Sequence, residues 1–137
     1  MQATNPVVQR AIDDCKECHA ICVQTIQYSV QQGGPHVAPD HLRLLEDCAQ
    51  LCQLSEDFML RDSPISATIC TVCAEVCDQC AVACDQVGRG TDAQLRACAD
   101  QCRRCAQSCR QMAQMRQLVH PAPGTFTGCS KRLKSFL

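Results

Sequence analysis

Tryptophan is absent from this sequence, and Tyr28, Phe58, Phe126 and Phe136 are its only aromatic residues. Four rings cannot fill the middle of a 137-residue chain, a length that suits one domain with a full core. Charge of one sign is also lacking: the formal net is −1, so neither nucleic acid nor an anionic membrane is an expected partner. The opening Met-Gln-Ala-Thr-Asn-Pro has neither the basic n-region nor the apolar h-region of a secretory signal. No apolar run approaches bilayer-spanning length. β-branched residues never alternate over a strand's length, which argues against a sheet. Together these lacks point to a cytoplasmic, all-α protein in a compartment that keeps thiols reduced.

What the chain has instead is cysteine, fifteen residues of it, far above ordinary usage. All but one of these cysteines fall within four segments that carry helix punctuation. Asn5-Pro6 reads as a cap followed by proline at the first helical position, and Gly33-Gly34 ends that helix. Pro39-Asp40 opens the second segment, Ser63-Pro64 repeats the cap-then-proline signature, and Gly88 and Gly90 stop the third. Thr91 to Gln94 read as a capping box for the fourth, which fades before Pro121 and Pro123. The expected helices cover about 5–32, 40–61, 64–87 and 92–118 of a 1–119 domain, with an irregular tail at 120–137. Long helices and short loops favour an antiparallel up-down-up-down four-helix bundle.

Within the third segment Cys70, Cys73, Cys77, Cys80 and Cys84 step three, four, three, four, an a/d stripe made wholly of cysteine. Cys98, Cys102, Cys105 and Cys109 continue the pattern on the fourth, Cys15, Cys18 and Cys22 on the first, and Cys48 and Cys52 on the second. Fourteen cysteines thus take the inward seam where Leu and Ile normally sit, giving a Cys-lined core. Asp78, Asp85, Arg103, Arg104 and Arg110 fall off that seam, and Ala49, Ala74, Ala81, Ala99 and Ala106 each follow a seam cysteine, leaving room for sulfur. Folding about the loops brings Cys22, Cys48, Cys77 and Cys102 to one height, and Cys18, Cys52, Cys73 and Cys105 to another.

As packing alone, cysteine is a poor choice, because it fills less volume than leucine and leaves the interior loose. Thiolates select soft metals, Cu(I) foremost and Zn(II) next. Zinc favours discrete closed tetrahedral sites. A continuous stripe suits Cu(I), which accepts two or three thiolates and lets them bridge neighbouring ions. Capacity is then roughly one ion per cysteine, on the order of a dozen or more per chain. The C-x2-C-x3-C-x2-C spacing of Cys70–Cys80 is not an iron–sulfur cluster run. Zinc or general metal buffering is one alternative, and a disulfide-stapled structural or interaction protein in an oxidising compartment is the other. Catalytic thiol chemistry needs an exposed, electropositive cysteine with a placed base, so no enzyme is expected.

The stripe C-T-V-C-A-E-V-C-D-Q-C-A-V-A-C at 70–84 and its companion C-A-D-Q-C-R-R-C-A-Q-S-C at 98–109, with C-K-E-C-H-A-I-C at 15–22 and C-A-Q-L-C at 48–52, resemble the cytosolic four-helix-bundle copper storage proteins. The resemblance spans about Asn5 to Val119. It implies storage of many Cu(I) ions inside the bundle, passage of metal through one open end, and a homotetramer. Protein partners would be copper donors or acceptors. The tail departs from the pattern, and Cys129 is not expected in the array.

His41 continues the stripe of Cys48 and Cys52 and, with His36 beside it, is a candidate ligand at the bundle's mouth. His19 flanks the first seam and is a second candidate, while His120 reads as solvated. Met59, Met112 and Met115 gather at the opposite end with Phe58 and Ile65, where a hydrophobic plug is expected over a thioether site. Leu42, Leu44, Leu51, Leu54 and Leu60 give the second helix more than one apolar face, a candidate subunit interface.

Overall fold

The computed structural model describes residues 5–119; the expected tail, His120 and Cys129 lie outside the described residues. Four α-helices follow one another: α1 (Pro6–Gln32), α2 (Pro39–Leu60), α3 (Ser66–Gly88) and α4 (Ala93–Val119), with a 3-10 turn at Gly34–Val37 joining the first two. The backbone of each helix lies against those of its two neighbours and not against that of the one diagonal to it. The result is a square, antiparallel bundle whose axis is filled by side chains alone.

Local chemistry explains most boundaries. The Asn5 side chain accepts from the Val7 N–H at 2.8 Å and Pro6 begins α1. Gly33 ends it at φ 71°, a conformation that side chains with a Cβ avoid. Pro39 starts α2. Two helix starts differ from the sequence reading. Ser63-Pro64 is not the cap of α3: these residues belong to the preceding turn, where the Ser66 hydroxyl donates to the Phe58 and Ser63 carbonyls, and the helix begins at Ser66. Nor does Thr91 begin a capping box. Asp92 caps α4 by accepting from the Leu95 N–H at 3.1 Å, while Gln94 crosses to Thr25 at 3.0 Å.

The seams extend past the cysteines at heptad spacing. On α1 the buried line runs Val8, Ala11, Cys15, Cys18, Cys22, Thr25, Ser29, with Ile12 buried beside it, and on α2 it runs His41, Leu45, Cys48, Cys52, Ser55, Met59. The five alanines behind the seam cysteines are all buried, so the backbones approach closely enough for sulfurs to meet on the axis. Outside, Arg110 pairs with Asp78 at 2.6 Å and Arg103 with Asp85, which fixes the register of α3 on α4. Among the described residues α3 alone is long and apolar enough by composition to cross a membrane, contrary to the expectation that no run reaches that length. Its apolarity comes largely from cysteines that are fully buried against the other helices.

Candidate metal centre

All fourteen seam cysteines are fully buried and free. Their sulfurs lie near van der Waals contact. Cys15 is 3.5 Å from Cys109 and 3.6 Å from Cys105, Cys48 is 3.6 Å from Cys77, and Cys52 is 3.7 Å from Cys73. The diagonal helices meet through sulfur as well, Cys48 to Cys102 and Cys52 to Cys105 both at 3.9 Å. These separations are well beyond the ~2.05 Å of a disulfide.

Four tetrads form, in each of which all sulfurs lie within 4.8 Å of one another: Cys15, Cys73, Cys105 and Cys109; Cys18, Cys52, Cys77 and Cys105; Cys18, Cys22, Cys48 and Cys102; and Cys22, Cys80, Cys98 and Cys102. Two of these correspond to the expected layers and differ from them by one member each. Cys18 takes the place of Cys77 in the first layer, and Cys77 that of Cys73 in the second. Side chains tilt toward the N-terminus of their own helix, so antiparallel neighbours interleave between heights rather than forming flat rings. Cys105, Cys18, Cys22 and Cys102 belong to two tetrads each, which links all four into one column. Cys70, beside Cys109, and Cys84, beside Cys80 and Cys98, extend it at the ends.

With a metal–thiolate bond of about 2.3 Å, the value for zinc, two sulfurs on one ion lie about 4.0 Å apart in trigonal and about 4.6 Å in linear geometry. The column is therefore already spaced for soft cations. The thiols share protons and shift in both directions. Cys52 is pushed up by its contacts with Cys105 and Cys15 and by burial, and Cys102 by its contacts with Cys18 and Cys22. Cys18 and Cys98 are pulled down, both chiefly through Cys102. Cys109 is lowered to about 6, mainly by the thiol of Cys105.

His41 lies at the start of α2 with 4% exposure, and neither of its ring nitrogens has a hydrogen-bond partner. Burial pushes its pKa down, the negative charge of Cys98 as a thiolate opposes that shift, and His36 reinforces it. A buried imidazole without partners is costly, and its lone pair is free for a metal. His19 is placed differently. Its Nδ1 meets the Ala49 carbonyl at 3.0 Å on the α1–α2 flank, and it belongs to no sulfur tetrad. At the far end Met59 and Met112 are buried, and Met115 packs partly buried against the core.

A helical bundle with an axis of free thiols, spaced for soft ions, defines a metal-binding protein. The copper storage protein family (Csp) matches residues 4–114, and this chain belongs to that family. A crystal structure of a Nitrosospira multiformis protein superposes with a TM-score of 0.76 at 42% identity, covering 82% of this chain and 99% of that one. The Cu(I)-bound copper storage protein BsCsp3 gives 0.71 at 31% identity over 78% and 98%. Apo copper storage protein 3 from Bacillus subtilis gives 0.67 at 30% over 77% and 97%. An uncharacterized cysteine-rich protein of Bacillus subtilis, YhjQ, is 33% identical over 73 residues; the match covers 53% of this chain and 64% of that relative's length.

Proposed function

We propose that this protein stores several Cu(I) ions per chain, bound by the fourteen seam thiolates, with His41 as a nitrogen ligand at the end of the column. The observation that carries this reading is the sharing of sulfurs between tetrads. Separate zinc sites would each claim four sulfurs, whereas bridging thiolates let a row of cysteines hold a row of Cu(I). The likeness to a Cu(I)-bound structure supports the same choice of metal. Because the thiols are fully buried, they lack the exposed setting of a catalytic nucleophile and act as ligands throughout.

Free thiols at these separations suit the cytoplasm, where they stay reduced. A homotetramer fits the apolar surface of α2, where Leu54 and Leu60 are exposed and Leu51 and Leu54 line a groove against Val76 of α3. Copper donors and acceptors would meet the end that carries His41.

Anaerobic titration of the reduced protein with Cu(I), against a competitor of calibrated affinity, tests the assignment. Uptake on the order of a dozen ions per chain is expected. Uptake of one or two defeats it, and Zn(II) retained under Cu(I) challenge selects the zinc-buffer alternative. Light scattering of the native protein tests the tetramer, and a monomer removes it.

A further inference from the structure

We propose that the α1–α2 connection is a strap latched across one end of the sulfur column by Asp92, and that unlatching it sets the rate at which metal passes without changing how much is held. The proposal rests on the storage reading above. The antiparallel topology puts the α1–α2 and α3–α4 connections at the same end, beyond Cys22, Cys84 and Cys98. They are tied together there. His36 Nε2 meets Asp92 Oδ2 at 2.9 Å, and the Tyr28 hydroxyl donates to that same oxygen at 2.9 Å. The other oxygen, Oδ1, accepts from the Leu95 N–H. The Tyr28 and His36 rings also pack edge to face, 5.8 Å apart. One carboxylate therefore holds the end of α1, the connection and the start of α4.

Little else holds the strap down. None of the residues in Gly34–Val37 is buried, and Gly33 and Gly34, at φ 71° and 57°, form a hinge where no other residue type is comfortable. A segment whose only apolar cover is the half-buried Val37 opens at low free energy, so its polar latch dominates its closed population. Behind it lies His41, buried without partners, with His36 and Cys98 as its neighbours. Ser29, also fully buried with an unpartnered hydroxyl, belongs to the same end. Toward the opposite end the Ser55 hydroxyl is likewise unpartnered, but the residue one turn further along α2 is the buried, apolar Met59. The fully buried Leu45 and Leu95 pack beside these groups, but the segment outside them is held by side-chain hydrogen bonds, which marks the strap end as the one that opens.

The test uses full-length protein loaded with Cu(I) and mixed anaerobically with excess chromogenic Cu(I) chelator in a stopped-flow instrument. Asp92→Asn keeps a good helix cap but removes the charge of the latch; the His36→Ala, Tyr28→Phe pair removes the strap side of it. Both should release metal roughly tenfold faster or more, the scale of a lost charge-assisted hydrogen bond, at unchanged copper per chain. Amide exchange at residues 34–38 should accelerate in parallel. Wild-type rates in variants of full capacity overturn the strap and leave storage standing. A wild-type protein that takes up only one or two ions removes the storage reading itself. Where a variant loses its helical signal, Tyr28→Phe alone, which deletes one hydroxyl, decides by the same rate. Ser66→Ala, cutting a tie at the opposite end, is the control; equal acceleration there means general loosening and overturns the proposal.

Discussion

The two ends of the sulfur column are closed by different means. At the end near Asn5 and Val119, Val8, Ile12, Met59 and Met112 are buried, and the thioethers fit around their neighbours as flexible hydrocarbon does. At the other end Leu45 and Leu95 are buried as well, but beside and beyond them the seam carries Thr25, Ser29 and His41, and the outer closure is an Asp92-centred set of hydrogen bonds. An apolar seal has no low-cost open state, because opening it exposes oily surface. Hydrogen bonds exchange readily for water. One end is thus built to stay shut and the other to open.

Substitutions that exchange these characters test the contrast. The largest stability effect is expected at the apolar end: Met112→Ala leaves a cavity and should cost about 2–5 kcal/mol in thermal or chemical unfolding of the apo-protein. Equal damage from Tyr28→Phe at the polar end would erase the contrast. His41→Gln should slow the initial rate of Cu(I) uptake several-fold, because a buried nitrogen ligand is lost, with little effect on unfolding. Faster or unchanged uptake in stopped-flow loading would assign His41 a packing role.

Smaller still is the difference between the terminal sulfurs. Cys70→Ser and Cys84→Ser should each lower capacity by about one ion per chain in metal analysis. Only Cys84→Ser, at the polar end, should also slow loading. The smallest effect concerns protons. Burial depresses the pKa of His41, so the neutral ring is favoured in the folded state. The sign follows: its contribution is fully present above the unfolded histidine value of about 6.5 and is lost as pH falls below it, by at most ~1.4 kcal/mol per pH unit. Denaturation of the apo-protein at pH 7 and pH 5.5 measures this, and His41→Gln should flatten part of the slope. No flattening would mean that the imidazole is solvated.

The cysteine seam is readable in the sequence because its three-four stepping has no other periodic explanation, and α1 to α4 follow from it and from the Asn5, Gly33 and Pro39 punctuation. The interleaving of the tetrads is not readable there. It depends on where each loop sets the axial height of a helix, and Ser63-Pro64 entering the turn instead of α3 is one such adjustment. The latch escapes sequence reasoning because Tyr28, His36 and Asp92 are remote in sequence and individually ordinary. A usable signal for the polar end does exist: continuing the steps of α1 beyond Cys22 reaches Thr25 and Ser29, hydroxyls on positions that should be oily. The partner of His19 is equally unreadable in the sequence, since its Nδ1 meets the Ala49 carbonyl of another helix.

The column also has a consequence for the protein's lifetime in a cell. Leucine glues a bundle at all times, whereas thiols cohere strongly only when cations sit between them. Each ion bound to the native state and not to the unfolded chain adds stability by mass action. Cargo is therefore mortar: a filled copy resists proteolysis, an emptied one unravels sooner, and the turnover of the polypeptide becomes a gauge of how much copper the cell holds.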